Sequence, residues 1–292
     1  MKLTHRQAVL LMVACTLMWS IAGVVTRHLE HTKSFEVTFW RSFFTLVSLL
    51  VILPLIHGKA LIQKFKQGGS ALWISGVCWS VMFTAFMLAL TMTRVANVLV
   101  TMSVGPLLTA LMAHYFIGHR LATRTWVAIF LAGIGIAYMY AAQLSLGEPG
   151  QLAGMLVAFC VPLAGALNWT VVQHSNAQGH DVDLVPAVLV GALISSVVTL
   201  PLSFPFQASA HDIGLLATLG LVQLAIPCTL SVVCARFLSA PEIALLALLE
   251  VIFGIALAWL GANEAPGSSV LVGGSLVIGA LLFNEWLAMR AR

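Results

Sequence analysis

The sequence predicts an all-α integral membrane protein with ten transmembrane helices, arranged as two inverted five-helix repeats. Of its 292 residues, 60% are hydrophobic and 8% are charged, whereas about 25% are charged in an average soluble domain. Residues 8–26, 70–93, 95–117 and 213–235 contain no Asp, Glu, Lys or Arg. Each run exceeds the roughly 18 residues that indicate a membrane-spanning helix. A weak internal repeat is the third observation.

Ten candidate spans follow one another with connections too short for a soluble domain. Their approximate bounds are 8–27, 35–56, 70–93, 95–117, 124–143, 150–173, 184–206, 212–236, 240–261 and 267–287. The breaks after the third and eighth spans depend on Arg94 and Arg236. The first span follows Lys2 and Arg6, but its uncharged run is longer than the roughly 7–15-residue core of a signal peptide. We interpret it as a retained helix.

Lysine and arginine positions predict that both termini are cytoplasmic. With that orientation the inside segments hold ten basic residues, and the outside segments hold only Arg27, Lys33 and Arg94. The net charge of +4 therefore reflects membrane topology rather than affinity for nucleic acid. The lipid bilayer is the expected surrounding partner.

The predicted repeats are residues 1–146 and 147–292. An offset of 144 residues aligns the halves and places Pro106 over Glu250. Because each half holds five spans, an odd number, the second half is inverted relative to the first. Inverted repeats are typical of secondary transporters, which bind substrate at the repeat interface near the membrane midplane.

Prolines inside predicted spans mark candidate hinges. Residues 101–108 read TMSVGPLL, with Gly105 and Pro106 inside an apolar helix, and Pro162 and Pro227 interrupt the sixth and eighth spans. Proline donates no backbone hydrogen bond, and its ring crowds the carbonyl four residues earlier. Freed carbonyls at membrane depth are tolerated where they are buried in protein or face water. Such interruptions point to a transport site; the alternative is a kink that improves packing.

Two ionisable side chains lie inside predicted spans. Glu250 is about ten residues from either end of its span, where a charge costs at least about 2.5–3.5 kcal/mol. It is a candidate proton carrier or partner for a substrate ammonium; a neutral structural carboxyl is the alternative. Arg41 is close enough to the outer interface to extend to it or to pair with Glu36.

Tryptophans and neutral polar residues are candidates for lining a cavity that suits an apolar or aromatic metabolite. An indole offers a flat apolar face and one N–H donor. Packing between helices and hydrogen bonds within helices are the alternatives. The candidate cavity residues are Trp19, Ser20, Trp79, Thr84, Thr101, Trp169, Gln223 and Glu250.

Signatures of other functions are missing. The sequence has no zinc-protease, serine-hydrolase or phosphate-loop motif, so we expect no catalytic residue, no cofactor and no ATP-driven pumping. An integral-membrane enzyme needs clustered polar catalytic residues, which the sequence lacks. The cluster of His174, His180, Asp181 and Asp183 is interpreted as a solvated loop rather than a metal site. All five cysteines fall in apolar spans without paired spacing, which predicts no disulfide framework.

The chain resembles the EamA-type members of the drug/metabolite transporter superfamily. Trp19-Ser20 is similar to that family's Trp-Gly or Trp-Ser position, and Phe39-Trp40-Arg41 to its aromatic-then-Arg start of the second helix. A late-helix pattern that ends in an acidic residue is represented by Pro241, Leu249-Glu250, Gly254, Trp259 and Glu264. In the first half, His119-Arg120 replace that acidic residue.

Within the superfamily the sequence most resembles the YddG-like bacterial amino-acid exporters. This resemblance implies export of aromatic and other apolar amino acids across the inner membrane, through a central cavity between the halves. The fold equally permits transport of nucleotide sugars, triose phosphates or drugs. Phosphorylated substrates favour a cavity Lys or Arg, and only Arg41 is available. The exact substrate, flux direction, proton coupling and oligomeric state stay open, with a monomer as the working expectation.

Overall fold

In the described part of the chain, all regular structure is helical. The computed structural model describes residues 4–32, 34–58, 60–117, 122–145, 149–177, 184–234, 237–238, 246–247 and 249–290. The helices are α1 (His5–Thr26), α2 (Ser34–His57), α3 (Ala60–Gln67), α4 (Gly69–Met92), α5 (Val95–Met102), α6 (Gly105–Ile117), α7 (Thr123–Ser145), α8 (Pro149–Ala177), α9 (Val185–Thr199), α10 (Ala210–Thr218), α11 (Ile226–Cys234), α12 (Leu249–Ala262) and α13 (Ser268–Arg290). A 3₁₀ turn lies at Pro201–Ser203, and a π-helical segment at Leu219–Ala225 joins α10 to α11.

Apolar helices coincide with all of the predicted spans. Among the described residues, six helical segments are long and apolar enough to cross a membrane: His5–Thr26, Ser34–Ile56, Gly69–Met92, Val95–Phe116, Gly150–Asn168 and Ala210–Ser231. Shorter apolar helices occupy the other predicted positions: Thr123–Met139, Val185–Thr199, Leu249–Ala262 and Ser268–Asn284. The count of ten membrane crossings stays a prediction, as does the division into repeats.

Two local features differ from the predicted pattern. The seventh predicted span reached residue 206, but α9 ends at Thr199 because Pro201 cannot continue the helical hydrogen bonding. The basic connection after the second span contains α3, a short helix with no buried residue. Its two lysines, Lys64 and Lys66, lie in its last turn.

Glycines allow pairs of helices to pack with their backbones in contact. Where α7 meets α13, a Cβ added at Gly273 would lie 2.6 Å from the carbonyl oxygen of Gly135. Where α4 meets α9, a Cβ added at Gly191 would lie 3.1 Å from the carbonyl oxygen of Gly76. Small residues at such crossings are the usual device of membrane helices, which gain little hydrophobic energy from associating in lipid. These contacts fix α7 on α13 and α4 on α9.

Candidate functional site

The helix break predicted at Gly105 and Pro106 is present. Helix α5 ends at Met102 and α6 begins at Gly105. Between them, the Ser103 hydroxyl donates to the Val100 carbonyl at 2.7 Å. Pro106 is the second residue of α6, a position where its missing N–H has no helical partner to lose. The proline therefore begins a second helix rather than kinking a continuous one.

A cavity of about 110 Å³ lies beside this break. Glu250, in the first turn of α12, lines it together with Pro106, so the two positions paired by the repeat offset meet in one cavity. The other lining residues are Leu99, Met102, Ser103, Ala247 and Val251. The volume holds about three or four water molecules at roughly 30 Å³ each. An amino acid therefore requires a wider conformation.

Glu250 is partly exposed to this cavity. Within the described residues its carboxylate accepts no hydrogen bond and pairs with no cation. Ser20 lies nearby on α1, since a Cβ added at Gly254 would be 3.7 Å from the Ser20 Cβ. The Ser20 hydroxyl, however, donates to its own helix at the Leu17 carbonyl. Glu250 is thus the polar group that the cavity offers to a ligand.

A second candidate hinge packs against the break. Pro162 lies inside α8, and a Cβ added at Gly105 would lie 3.6 Å from the Pro162 Cβ. Pro227 is the second residue of α11, two positions after the end of the π-helical segment at Ala225. The structure therefore places two of the interruptions together and the third in another helix.

Arg41 on α2 is completely buried. Its guanidinium donates to the Phe83 carbonyl at 2.6 Å and to the Gln223 amide oxygen at 3.2 Å. The rings of Phe83 and Phe86 lie 5.8 and 5.6 Å from the guanidinium carbon. The Arg41 Nε has no acceptor. Neither expectation for this residue holds, because the side chain does not extend to the interface and Glu36 bonds elsewhere.

Neutral polar groups continue from Arg41 across three helices. The adjacent Ser42 hydroxyl lies 2.9 Å from that of Ser195 on α9, which lies 2.9 Å from that of Thr84 on α4. Gln223, in the π-helical segment, also donates to the Trp19 carbonyl on α1 at 3.5 Å. Arg41 and Gln223 thereby connect α2 to Trp19 on α1, and the three hydroxyls form a separate set of contacts between α2, α9 and α4.

The remaining predicted cavity residues lie outside the Glu250 cavity and the Arg41 hydrogen bonds, or next to them. Trp79 stacks near Phe83, with ring centroids 5.5 Å apart. Thr101 is buried on α5, and its hydroxyl has no partner. The side chains of Trp169 and His174 lie outside the described part of the structure. The backbone of His174 belongs to α8 and not to a loop as predicted, and His180, Asp181 and Asp183 lie outside the described residues. The structure thus gives two groups of candidate residues. The Glu250 side is Glu250 with Pro106 at the cavity, and the Arg41 side is Arg41 with Gln223 and Trp19.

Cys228 is buried on α11. It belongs to the buried apolar cluster that contains Phe83 and against which Trp19 and Trp79 pack. It therefore lies beside the aromatic residues of the Arg41 side.

Three acidic residues that sequence reasoning did not place together close one end of the bundle. We name Glu36, Asp212 and Glu264 the carboxylate seal. They lie at the end where α1 finishes and α2 begins, which is the predicted outer end. Each one joins a segment from the first half of the chain to a segment from the second.

Glu264 is the residue of the carboxylate seal that connects α1, α4, α5 and the end of α12. Its carboxylate accepts from the Arg27 guanidinium and from the Val95 backbone N–H. Arg27 also donates to the carbonyls of Leu90 and Thr93 at the end of α4. One ion pair thereby holds the ends of four helices.

Asp212 and Glu36 close the neighbouring part of the same end with backbone donors. Asp212 on α10 accepts from the N–H groups of Glu30 and His31 at 3.0 and 3.1 Å, and from the Thr32 hydroxyl at 2.6 Å. Glu36 on α2 accepts from the backbone N–H groups of residues 207 and 208 at 3.0 and 2.8 Å. Both acidic residues are fully buried.

Other ligand classes find no built site in the described residues. No three His, Cys, Asp or Glu residues in those ranges are placed to hold a metal ion. The cysteines are free: Cys15, Cys78, Cys160, Cys228 and Cys234.

The known proteins to which this chain is similar in sequence are transporters. Residues 6–141 match the EamA-like transporter family model. The pseudopaline exporter CntI of Pseudomonas aeruginosa (strain UCBPP-PA14) is 22% identical over 95% of this chain and 95% of its own length. The S-adenosylmethionine uptake transporter of Rickettsia felis is 25% identical over 90% of this chain and 87% of its own length.

A solved crystal structure of a protein superposes with a TM-score of 0.62, covering 98% of this chain and 100% of that one at 19% identity. At that identity the likeness concerns the fold alone. The family model and both relatives are transporters, and the similarity to the relatives extends over at least 90% of this chain.

Proposed function

We propose that this chain is a secondary transporter that exports neutral amino acids, chiefly aromatic and apolar ones, across the bacterial inner membrane by alternating access. The observation that carries the proposal is Glu250, which lines a cavity at the break between α5 and α6 and has no partner among the described residues. An intramembrane carboxylate facing a cavity is a functional group by default. A substrate ammonium or a proton is its natural partner.

The hinge assignment belongs to this proposal. Gly105, Pro106 and Pro162 lie together at the α5–α6 break, and Pro227 follows the π-helical segment. Backbone hydrogen bonds are interrupted at these points, so half-helices are able to tilt without moving the rest of the bundle. With the carboxylate seal closed at the predicted outer end, widening the cavity at the opposite end admits substrate from the cytoplasm.

A second candidate substrate class comes from the relatives. One group carries the name of an exporter of pseudopaline, and another that of an importer of S-adenosylmethionine. Other metabolites or drugs, and uptake instead of export, are therefore the alternatives on the same fold. S-adenosylmethionine belongs in the first substrate panel.

Counterflow in proteoliposomes tests the proposal. Vesicles loaded with unlabelled amino acid receive trace label outside, with Trp, Phe, Met, Leu and Thr compared with Lys, Glu and S-adenosylmethionine. We expect transient accumulation of the neutral apolar labels and none of Lys or Glu. Accumulation of S-adenosylmethionine alone would replace the amino-acid assignment. Absence of counterflow for every label, in folded reconstituted protein, would reject it.

A further inference from the structure

Arg41 is an uncompensated positive charge inside the bundle. Among the described residues, Arg41 is the basic residue whose side chain is fully buried, and no carboxylate of those residues interacts with it. Taking a charge out of water is unfavourable unless an opposite charge or sufficient hydrogen bonds replace the solvent. In a membrane protein such a residue is a functional-site candidate whose partner has to be identified.

The present partners of Arg41 satisfy only part of its hydrogen-bonding capacity. A guanidinium has five N–H donors, yet its described acceptors are one backbone carbonyl and the amide oxygen of Gln223. The bond to Gln223 is 3.2 Å long, whereas charge-assisted bonds to a carboxylate are about 2.7–2.9 Å. The Arg41 Nε is buried without any acceptor. A neutral amide therefore occupies the place that an anion would fill better.

The surroundings of Arg41 are able to rearrange. Gln223 belongs to the π-helical segment, and Pro227 lies two positions after the end of that segment. Single-turn π-helical insertions occur frequently at functional sites. The Gln223 side chain is held on its other side by a long contact of 3.5 Å to the Trp19 carbonyl. An arriving carboxylate therefore has to replace one bond from the guanidinium to a neutral amide.

The chemistry of the site favours a single carboxylate over a phosphate. A planar guanidinium matches a carboxylate with two parallel hydrogen bonds. A phosphate dianion calls for more positive charge than the one buried cation in the described residues provides. The hydroxyls of Ser42, Ser195 and Thr84 are neutral. They suit the remaining polar atoms of a small metabolite.

We infer that Arg41 binds the carboxylate of the transported substrate after the Gln223 amide swings away. This inference rests on the proposed transport function and specifies one recognition element of that function. Arg41 then selects compounds with a carboxylate, while Glu250 acts on the ammonium or carries a proton. The apolar side chain of the substrate is left for the aromatic surroundings near Trp19 and Trp79.

The test compares leucine with leucinol, which has the same side chain and ammonium but a hydroxyl in place of the carboxylate. Unlabelled leucine or leucinol competes with labelled leucine in counterflow, with phenylalanine and phenylalaninol as a second pair. In the wild type we expect leucine to compete at least 10-fold better than leucinol. Arg41→Gln should bring this ratio to within about twofold, and Arg41→Lys should give an intermediate value.

Arg290→Gln is the matched control, because Arg290 is exposed at the end of α13 and stacks on Trp286. It should keep the wild-type ratio. If Arg41→Gln transports too slowly for competition, thermal stabilisation of the purified variant by the same compounds gives the ratio instead. A purely structural Arg41 lowers the melting temperature and leaves the ratio unchanged.

The two proposals fail differently. If wild-type protein transports leucine but Arg41→Gln retains its preference over leucinol, the role of Arg41 is overturned and amino-acid transport stands. If leucine and leucinol compete equally well in the wild type, the role of Arg41 is likewise overturned and amino-acid transport stands. If the wild type accumulates none of the amino acids, the amino-acid proposal itself is rejected, and the carboxylate inference with it.

Discussion

Charged side chains at the predicted outer end of the bundle and in its interior differ in how many hydrogen bonds they make. At the outer end, each residue of the carboxylate seal accepts at least two hydrogen bonds. In the interior, Glu250 accepts none from the described residues, and the Arg41 Nε has no acceptor. The seal is complete as it stands, whereas the interior has donors and acceptors without partners among the described residues.

This difference separates a structural role from a binding role. A buried polar network whose members are all satisfied makes the structure rigid, and a partly satisfied one leaves a free-energy penalty that a ligand is able to relieve. The carboxylate seal therefore holds two halves of the chain together without help. The Glu250 and Arg41 sides gain most from a substrate with charged ends.

The largest expected effect of a single substitution is at Glu250. Glu250→Gln keeps the size of the side chain and removes the charge that holds an ammonium or a proton. Because a hydrogen bond to a charged group contributes about 1.5–3 kcal/mol, counterflow should fall about 10- to 100-fold. Glu30→Gln is the control, since Glu30 is exposed outside the cavity. Wild-type rate and pH dependence in Glu250→Gln would remove this carboxylate from the mechanism.

The carboxylate seal should respond in stability rather than in substrate selectivity. Asp212→Ala removes the charged acceptor of three part-buried hydrogen bonds from Glu30, His31 and Thr32. We expect the free energy of unfolding to fall by about 3 kcal/mol, measured as a lower melting temperature in detergent. Glu30→Ala, one of the same loop residues, retains its backbone N–H and should melt like the wild type. Equal melting of both variants would show that the seal contributes little.

Pro106→Ala tests the break with a smaller expected effect. Alanine restores a backbone donor and favours a continuous helix, so the α5–α6 joint should move less freely. We expect the turnover rate to fall about 3- to 10-fold at unchanged melting temperature, about 1 kcal/mol in activation free energy. The matched control is Pro54→Ala, because Pro54 lies inside α2 at an exposed position. Equal turnover in the two variants would make Pro106 a packing residue.

Thr101 gives the smallest and most diagnostic effect. Its buried hydroxyl has no hydrogen-bond partner, and valine has nearly the same shape. Thr101→Val should therefore raise stability by about 1 kcal/mol, because it removes an unsatisfied polar group. If the hydroxyl serves the substrate, counterflow falls while the melting temperature rises. A stabilised variant with full counterflow would exclude Thr101 from the site.

The apolar helices and the break between α5 and α6 were predictable from the sequence. Long uncharged runs fix the helices because backbone groups in lipid have to bond within the segment. The pair Gly105-Pro106 fixes the break because proline disrupts a helix interior but fits a first turn. Glu250 was recognisable because an acidic residue deep in an apolar span is rare.

The seal and the surroundings of Arg41 were beyond sequence reasoning. Asp212 and Glu36 bond mainly to backbone N–H groups more than 150 positions away, and every residue except proline offers such a donor. Closeness in sequence suggests Glu36 as a partner for Arg41, but the Glu36 carboxylate accepts from the backbone N–H groups of residues 207 and 208 instead. The π-helical segment that carries Gln223 has no composition that distinguishes it from an α-helix.

Reactivity of Cys228 tests most directly whether the interior opens to water during transport. Cys228 is 2% exposed and belongs to the buried cluster of Phe83, whose carbonyl accepts a hydrogen bond from Arg41. In a transport-active variant with the other four cysteines replaced, a membrane-impermeant thiol reagent is applied to each side of the membrane. We expect Cys228 to react during turnover, from one side at a time, and excess substrate to protect it. Full counterflow with Cys228 unreactive from both sides would contradict a substrate path beside Arg41.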